Sequence, residues 1–349
     1  MDKSLTMFSR RKFLLLAAAA GFAPQGPRSM IVRSVRPEDI EMPPDGFGDF
    51  ITPIEKFFVR THVAVPRVDL ADWRLKVDGH VSEPLTLTMD DIRRMPSFEL
   101  IGVLECAGNG RANFDPPVAG LQWVNGAVGN GRWRGVRLAD VLRRAGVKDG
   151  AVEVLFDGAD IPLGTMADFQ RSIPLKKALD PNTILAYSMN GEVLPVKHGF
   201  PLRAVVSGWA GDSWTKWLSS VRVLAEEANG FWMKGAYLYP KNAAAPGAVV
   251  TADSMKPVTS LRVKSVIAFP ENGAHVAAGT SVVIRGAACD AYEGCSTISA
   301  TALACGHDLH RAHTPRLSAR ASWCDVTRRS VVTPRGTLCD HATSRTGCG

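Results

Sequence analysis

The residue best placed to do chemistry is a cysteine that precedes a glycine-rich loop. Cys106 is the first cysteine of the chain and the next is Cys289, so the main part of the chain offers it no disulfide partner. An apolar stretch leads into it, and Gly108-Asn109-Gly110-Arg111 follows. Glycines let a backbone approach a ligand closely, and a nearby cation favours the thiolate, a soft metal donor or a nucleophile. Physical reasoning alone leaves three roles open for this thiol: metal ligand, nucleophile or inert buried side chain.

Several other chemistries lack their sequence motifs. The chain has no Cys-x-x-Cys-His for attached haem and no Cys-x-x-Cys pair for zinc. It has no phosphate loop of the G-x-x-x-x-G-K-[ST] type, no dinucleotide fingerprint between a strand and a helix, and no G-x-S-x-G elbow. These absences disfavour haem attachment, ordinary nucleotide enzymes and serine hydrolases.

The elements that position the cysteine loop are short strands and a few helices between about 36 and 240. Trp73–Val77 alternates with a period of two, which is typical of a half-buried strand. Thr88 before two acidic residues predicts a helix start. Val136–Ala145 predicts an amphipathic helix that ends at Gly146. Because strands and helices do not alternate regularly, the pattern predicts an α+β domain.

A second unit is predicted over residues 250–349. A Pro/Ala/Asn stretch at Pro240–Gly247 has the composition of a linker. Beyond it, alternation at Leu261–Ile267 and a short apolar run at Ser281–Arg285 predict a β-sandwich of the immunoglobulin type. The strand pattern fades after Ile284 and is atypical after about 290.

Residues 1–30 have the composition of a targeting segment. Arg10-Arg11 stands directly before an Ala-rich apolar run that ends near Phe22. The run is shorter than the roughly 20 residues that a membrane-spanning helix needs. This arrangement resembles a twin-arginine export signal and predicts a periplasmic protein.

Composition narrows the function classes further. Of the 349 residues, 46% are hydrophobic and 21% charged, which excludes disordered, collagen-like and coiled-coil proteins. The length accommodates two domains and an ample core. The net charge of +7 comes from scattered basic residues. It favours binding of small anions over nucleic acid, and we expect no membrane span.

Five ordered motifs resemble the sulfite oxidase family of molybdopterin-dependent enzymes, in its exported bacterial form. The resemblance runs roughly from Arg36 to Val283, and Thr61 stands where many members have Asn. The motifs are Phe57-Phe58-Val59-Arg60-Thr61-His62, Cys106-Ala107-Gly108-Asn109-Gly110-Arg111, Ala186-Tyr187-Ser188-Met189-Asn190-Gly191, His198-Gly199-Phe200-Pro201-Leu202-Arg203 and Trp214-Thr215-Lys216-Trp217-Leu218.

The resemblance implies a molybdopterin-binding domain at 36–240, followed by the β-sandwich module, and it assigns roles to individual residues. Cys106 would ligate the molybdenum and, with Arg60 and Tyr237, form the catalytic set. Tyr239 is a close rival of Tyr237. The cofactor would be held by Phe58, Val59, Arg60, Thr61, His62, Cys106, Asp160, His198, Arg203, Trp214, Thr215 and Lys216. The substrate oxyanion would be held by Arg60, Arg111, Trp123 and Tyr237.

The implied activity is molybdenum-dependent oxidation of sulfite to sulfate by oxygen-atom transfer. We expect no haem in this chain, so the electrons would pass to a separate acceptor such as a c-type cytochrome. Three alternatives stay open: a sulfane dehydrogenase, a sulfoxide reductase with the same cofactor, and an impaired family member. The paired cations Arg60 and Arg111 favour a small anion over a neutral sulfoxide.

The tail does not follow the family pattern. Six of the seven cysteines lie from Cys289 onward, together with several histidines. Disulfides, a metal site at Cys305-x-His307-x-x-His310-x-x-His313 and a changed reading frame are the three explanations. We favour the third, because we find no further core-forming strands there. In the family this module forms the dimer interface, so a homodimer stays a possibility rather than an expectation.

Overall fold

The computed structural model of the chain describes residues 29–245, 247–271, 274–275, 281–289 and 295–303. Its strands in chain order are β1 (Ile31–Val35), β2 (Glu38–Glu41), β3 (Leu75–Gly79), β4 (Leu85–Leu87), β5 (Ser97–Glu105), β6 (Val128–Arg137), β7 (Glu153–Gly158), β8 (Gln170–Pro174), β9 (Thr183–Met189), β10 (Glu192–Val193), β11 (Arg203–Val206), β12 (Leu218–Leu224), β13 (Leu238–Pro240), β14 (Met255–Pro257), β15 (Lys264–Phe269), β16 (Ser281–Cys289) and β17 (Cys295–Leu303). Its α-helices are α1 (Met89–Arg94), α2 (Leu138–Ala145), α3 (Leu175–Ala178) and α4 (Phe231–Lys234).

Two five-stranded sheets carry the main domain. One has the order β10-β9-β6-β5, with β11 also paired to β9, and the other has the order β4-β3-β12-β7-β8. A single cluster of buried apolar side chains takes members from both sheets, among them Val77 in β3, Ile184 in β9 and Val221 in β12. Burial of such side chains is the main force that holds the sheets together. The predicted mixture of helices and strands is confirmed.

Both predicted helices are present, with local reasons for their ends. Thr88 caps α1: its Oγ1 accepts the amide of Asp91, and the Asp91 carboxylate accepts the amide of Thr88. Helix α2 begins at Leu138 rather than at the predicted Val136, because Val136 and Arg137 still pair with β9. Gly146 ends α2 with a φ of 65°, as predicted.

The cysteine loop connects two neighbouring strands of the first sheet. β5 ends at Glu105, and the chain returns at β6 after a long connection. Asn109 holds the loop closed, since its side chain donates to Glu105 Oε1 at 2.8 Å and accepts the amide of Ala127 at 3.1 Å. Gly110 has a φ of 91°, which only glycine adopts at no steric cost. The predicted strand-to-loop transition therefore places Cys106 at the end of β5.

One buried carboxylate holds the far end of that connection. Glu41 in β2 accepts the amides of Val124, Asn125 and Gly126 at 2.7–3.0 Å, and also pairs with Arg33 at 2.5 Å. A Cβ at position 126 would lie 1.9 Å from a backbone oxygen of the neighbouring segment, so glycine is needed there. The loop is thus fixed by charge-assisted hydrogen bonds rather than by apolar packing.

The described part of the C-terminal unit is a three-stranded antiparallel sheet, β15-β16-β17. The prediction that strand character fades after Ile284 is wrong, because β16 continues to Cys289 and β17 follows. Their ladder depends on backbone pairing, which a Ser/Thr/Ala-rich sequence supports without apolar alternation. Lys264 at the start of β15 contacts the main domain, where its Nζ lies 2.5 Å from Glu105 Oε1 and 3.0 Å from Asn109 O.

Three predictions stay untested by the fold. Of the predicted signal segment, only residues 29 and 30 are described. The Cys305–His313 cluster lies wholly outside the described residues. The division into domains at about 240–250 stays a prediction. Among the described residues, no helix is long and apolar enough to cross a bilayer.

We expect Glu41→Ala to lower the free energy of unfolding by about 1.5–3 kcal/mol, the range for hydrogen bonds to a charged group. The cause is the loss of the shared acceptor of three amides, of which that of Gly126 is buried. The midpoint of urea unfolding, followed by tryptophan fluorescence, measures it. Glu99→Ala is the matched control, since its ion pair with Arg132 is exposed and contributes at most about 1 kcal/mol. Equal effects of the two variants would contradict the role assigned to Glu41.

Candidate functional site

One cavity brings most of the predicted site residues together. It encloses about 690 Å³ of space free of protein atoms, counted out to its open mouth. All but three of the predicted residues line it: Phe58, Val59, Arg60, His62, Cys106, Asp160, His198, Arg203, Trp214, Thr215, Lys216 and Tyr237. The motifs that are far apart in the sequence therefore form one site.

Three predicted site residues do not line the cavity. Thr61 lies behind the wall, where its Oγ1 accepts Lys216 Nζ at 3.4 Å. Arg111 packs over the glycines of its own loop and donates to Leu121 O at 3.1 Å. Trp123 is only 1% exposed and packs edge-on against Phe58. The structure thus gives Thr61 and Trp123 supporting positions, and it does not place Arg111 or Trp123 where a substrate in the cavity would touch them.

The thiol of Cys106 lies on the wall of this cavity. Burial raises its pKa, while a backbone amide at Gly108 and the cations Arg60 and Arg111 lower it. Arg111 lowers the pKa of the thiol, as the sequence analysis expects of a nearby cation, but desolvation outweighs the nearby charges. A metal ion bound to the sulfur would remove the proton outright. Cys106 is thus set for coordination rather than for free nucleophilic attack.

Positive charge dominates the wall around this thiol. Arg203 is 2% exposed, and its guanidinium donates to His198 O at 2.8 Å and Trp214 O at 3.1 Å. Arg60 is held by the buried carboxylate of Asp39 at 3.2 Å. Burial and the neighbouring Arg203 lower the pKa of Lys216 to about 7. Cations concentrated in a low-dielectric cavity favour an anionic occupant.

The acidic residues of the wall offset this charge only in part. Burial raises the pKa of Asp160, which Lys216 lowers again. Burial raises the pKa of Asp212 to about 7, although Arg171 stands beside it. Burial therefore holds the pKa of both carboxyls above that of an exposed aspartate.

His62 and Tyr237 form the polar contact at the other side of the cavity. His62 Nε2 lies 2.6 Å from the Tyr237 hydroxyl, and the imidazole stacks on Phe169 with ring centroids 4.1 Å apart. Tyr237 has a φ of 53°, rare for a bulky residue. Tyr239, its rival in the sequence, lies in β13 beside Lys256 and Arg262 and does not line the cavity.

The two histidines of the wall are neutral near pH 7. Burial lowers the pKa of His62 well below its ordinary value, and Arg60, Lys216 and Arg171 lower it further. Burial lowers the pKa of His198 to about 3. Near pH 7 both imidazoles therefore act as single donors or acceptors, and the arginines and Lys216 supply the positive charge.

Sequence reasoning missed several residues of the wall. Trp217 lies inside the Trp214–Leu218 motif but was assigned no role, and Asp212 and Lys197 lie just before two of the motifs, so a wider window around each motif finds them. Phe169 belongs to no motif, and nothing in its local sequence marks it. Leu104 and Gly211 complete the lining.

Buried polar atoms without a partner indicate what the cavity is built to hold. Among the described residues, Arg203 Nε and Thr215 Oγ1 are buried and make no hydrogen bond, and both residues line the cavity. Such groups are costly to leave unpaired, so their presence points to an occupant that accepts from them. No group of three or more His, Cys, Asp or Glu residues in the described chain could hold a metal ion by itself. The donor set therefore fits an anionic group that brings its own ligands, with Cys106 as the added sulfur.

We expect Lys216→Met to raise the thermal midpoint of the ligand-free protein at pH 7. The unfolded chain keeps the ordinary lysine pKa of 10.5, so between pH 7 and 10.5 it binds one more proton than the folded state. Stability therefore rises with pH across that window, and the burial penalty is complete below pH 7. Met at this position removes both the penalty and the slope.

Thermal midpoints measured from pH 6 to 10 test this expectation. Lys197→Met is the control, because that side chain is 52% exposed and already paired with Glu38. A pH slope that persists in Lys216→Met, or vanishes equally in both variants, would contradict the assignment.

Comparisons with known proteins agree with this site. Residues 62–232 match the oxidoreductase molybdopterin binding domain. The chain is 39% identical over 267 residues to mitochondrial sulfite oxidase of Mus musculus, covering 73% of this chain and 48% of the mouse protein. It is 41% identical over 192 residues to an NADH nitrate reductase of Brassica napus, covering 52% of this chain and 21% of that protein.

A solved structure is similar as well. The sulfane dehydrogenase SoxCD from Paracoccus pantotrophus superposes with a TM-score of 0.65 at 25% identity, covering 83% of this chain and 73% of that chain. The chain spans about half the length of the curated sulfite oxidases it matches. Motifs, cavity and relatives converge, and the chain belongs to the sulfite oxidase family, with that family's molybdenum-cofactor oxidoreductase domain at its centre.

Proposed function

We propose that the chain oxidises sulfite to sulfate with the molybdenum cofactor and passes the electrons to a separate protein. The observation that carries the proposal is the charge of the cavity. Arg60, Arg203 and Lys216 line the same space as the Cys106 thiol. Arg203 and Lys216 suit the phosphate of the cofactor, and Arg60 suits a small sulfur oxyanion. Guanidinium groups match the geometry of both kinds of anion.

The residues present fit the cofactor. Cys106 would supply the protein's sulfur ligand, and Arg203, Lys216 and the Thr215 hydroxyl would hold the phosphate. The buried atoms of Arg203 and Thr215 that lack a partner would then gain one. When bound, the cofactor supplies two-electron oxygen-atom transfer chemistry. The other side chains bind and orient what reacts with it.

The protein's own part is to bind the anion and to manage protons and water. Overall, sulfite and water give sulfate, two protons and two electrons. Arg60, fixed by Asp39, would hold a sulfite oxygen near the thiol. Burial raises the pKa of Tyr237, so its hydroxyl keeps its proton and can donate to an oxyanion. The aromatic wall beside His62 excludes water, which strengthens both interactions.

Sequence features support the proposed electron acceptor and the proposed cellular compartment of the protein. No haem-attachment motif occurs in the chain, so a c-type cytochrome is the acceptor we propose. The twin-arginine pattern supports export to the periplasm. Cys289 is disulfide-bonded, which supports an oxidising compartment.

We also propose that the C-terminal unit is an immunoglobulin-like β-sandwich and that it joins two copies of the chain. The three antiparallel strands β15, β16 and β17 support the proposal, because one such sheet is half of a sandwich. Sedimentation of the purified protein distinguishes a dimer from a monomer.

A sulfane dehydrogenase is the second candidate. The similarity to SoxCD supports it, and so do the exposed apolar side chains Ile161 and Leu163, which follow the cavity residue Asp160. A carrier protein that presents bound sulfur would need such an open, apolar approach. A sulfite dehydrogenase needs only access for a small anion.

The first experiment is molybdenum content by elemental analysis, with sulfite-dependent reduction of cytochrome c on the same sample. We expect about one molybdenum per chain and turnover with sulfite. Cys106→Ser should keep the circular dichroism of the folded protein and lose most turnover, because a hydroxyl is a poor ligand for a soft metal site. Metal without sulfite turnover would favour the sulfane reaction, and unchanged turnover in Cys106→Ser would refute the ligand assignment.

Arg60→Gln should weaken sulfite binding by about 1.5–3 kcal/mol, the worth of a charge-assisted hydrogen bond, or roughly 10- to 150-fold in KM. Steady-state kinetics measure this, and kcat should change less than KM. Arg93→Gln is the control, since Arg93 is an exposed arginine on α1. An unaltered KM in Arg60→Gln would indicate a substrate that is not an anion.

A further inference from the structure

A deeply buried arginine joins three parts of the chain next to the cavity. Arg171 in β8 is 1% exposed, and its Nη2 lies 2.5 Å from Asp212 Oδ2. The same guanidinium donates to Trp232 O and, at 3.3 Å, to Val258 O. Asp212 lies on the cavity wall and belongs to the segment that follows the first sheet, whereas Arg171 belongs to the edge of the second.

The two carbonyls that Arg171 binds stand on either side of Tyr237. Trp232 precedes it in the chain, and the amide of Val258 donates to Tyr237 O at 2.7 Å. The guanidinium also lies 5.5 Å from the centre of the tyrosine ring. A bulky residue with a φ of 53° has a strained backbone, so the surrounding structure must hold it in place. Among the residues that the structure describes, Arg171 is the one buried cation that contacts the backbone on both sides of Tyr237.

Asp212 makes that arrangement possible. An unpaired guanidinium at this depth would be strongly unfavourable, and removing one partner of a buried ion pair is far worse than removing both. The pair therefore acts as a unit, in which Asp212 carries the countercharge and Arg171 makes the contacts to the backbone.

We infer that Arg171 and Asp212 are positioning residues that hold Tyr237 at hydrogen-bond distance from His62. They touch neither the reacting atoms nor the hydroxyl, and they act by fixing the segment 232–258. The kinetic consequence rests on the proposed function, since it assumes that Tyr237 donates to the substrate. The placement of Tyr237 does not depend on that assumption and can be measured without any substrate.

The test is fluorine NMR of the full, cofactor-loaded chain made with 3-fluorotyrosine. The sequence has four tyrosines, so Tyr237→Phe identifies the resonance of interest. The informative variant is Arg171→Met with Asp212→Leu. Because it removes both charges, it leaves no buried charge behind and should keep the wild-type thermal midpoint within a few degrees. We expect the Tyr237 resonance to shift or broaden and the other three to stay.

Kinetics give the second readout. In the double variant we expect kcat with sulfite to fall at least tenfold while KM changes less than threefold, because the cavity keeps its net charge and Arg60. Arg171→Lys retains a cation for Asp212 but cannot reach both carbonyls, so it should fall between the wild type and the double variant. Arg222→Met is the matched control: it breaks an exposed arginine–aspartate pair in the same sheet and should change nothing.

A double variant with wild-type stability and an unmoved Tyr237 resonance would overturn the inference and leave the pair with a purely structural role. Absence of sulfite turnover in the wild type would instead refute the proposed substrate, and the resonance would still report on the positioning. If the double variant does not fold, Arg171→Lys decides, and an unshifted resonance with unchanged kcat there counts against the inference.

Discussion

The constraint on which this structure depends is the gathering of cations in one partly enclosed cavity. Arg203 is almost completely buried, Lys216 is held at a pKa of about 7, and Arg60 needs a buried carboxylate beside it. Desolvated charges of one sign destabilise a fold unless something compensates them. Nearby aspartates compensate only in part, because burial raises their pKa too. An anionic occupant is therefore part of the stable state of the protein and not an accessory to it.

The fold meets this constraint by supplying the wall from many short segments. The cysteine follows strand β5, the segment after β2 carries Arg60, and the segment before β12 carries Lys216. Hydrogen bonds add to the apolar packing of these segments, as with the Asp39 carboxylate that holds Arg60 and the Lys197 carbonyl that accepts from Lys216. Directional contacts of this kind hold charged side chains in place more closely than apolar packing alone.

Sequence reasoning found what lies within contiguous motifs and missed what depends on burial or on distant contacts. The motif residues line one cavity, and the caps of α1 and α2 followed from local chemistry. The neutral state of His62 and the raised pKa of the Cys106 thiol could not be predicted from the sequence, because desolvation depends on the whole fold. Arg171 was missed because its partners are far away in the chain and no periodicity marks it. Strand β17 was not predicted from the sequence, because a ladder of backbone hydrogen bonds needs no apolar alternation.

The contact between Lys264 and Glu105 links the end of the chain to its centre. Glu105 is the residue directly before the cysteine, it is buried, and its carboxylate also fixes Asn109 in the cysteine loop. Its cationic partner comes from the first strand of the C-terminal sheet. Whatever displaces that strand leaves a buried carboxylate without its counterion one residue from the thiol. Displacement of that strand would therefore disturb the cysteine loop through this ion pair, and also through the packing of Leu261 and Cys289 against Met42, Val103 and Val128.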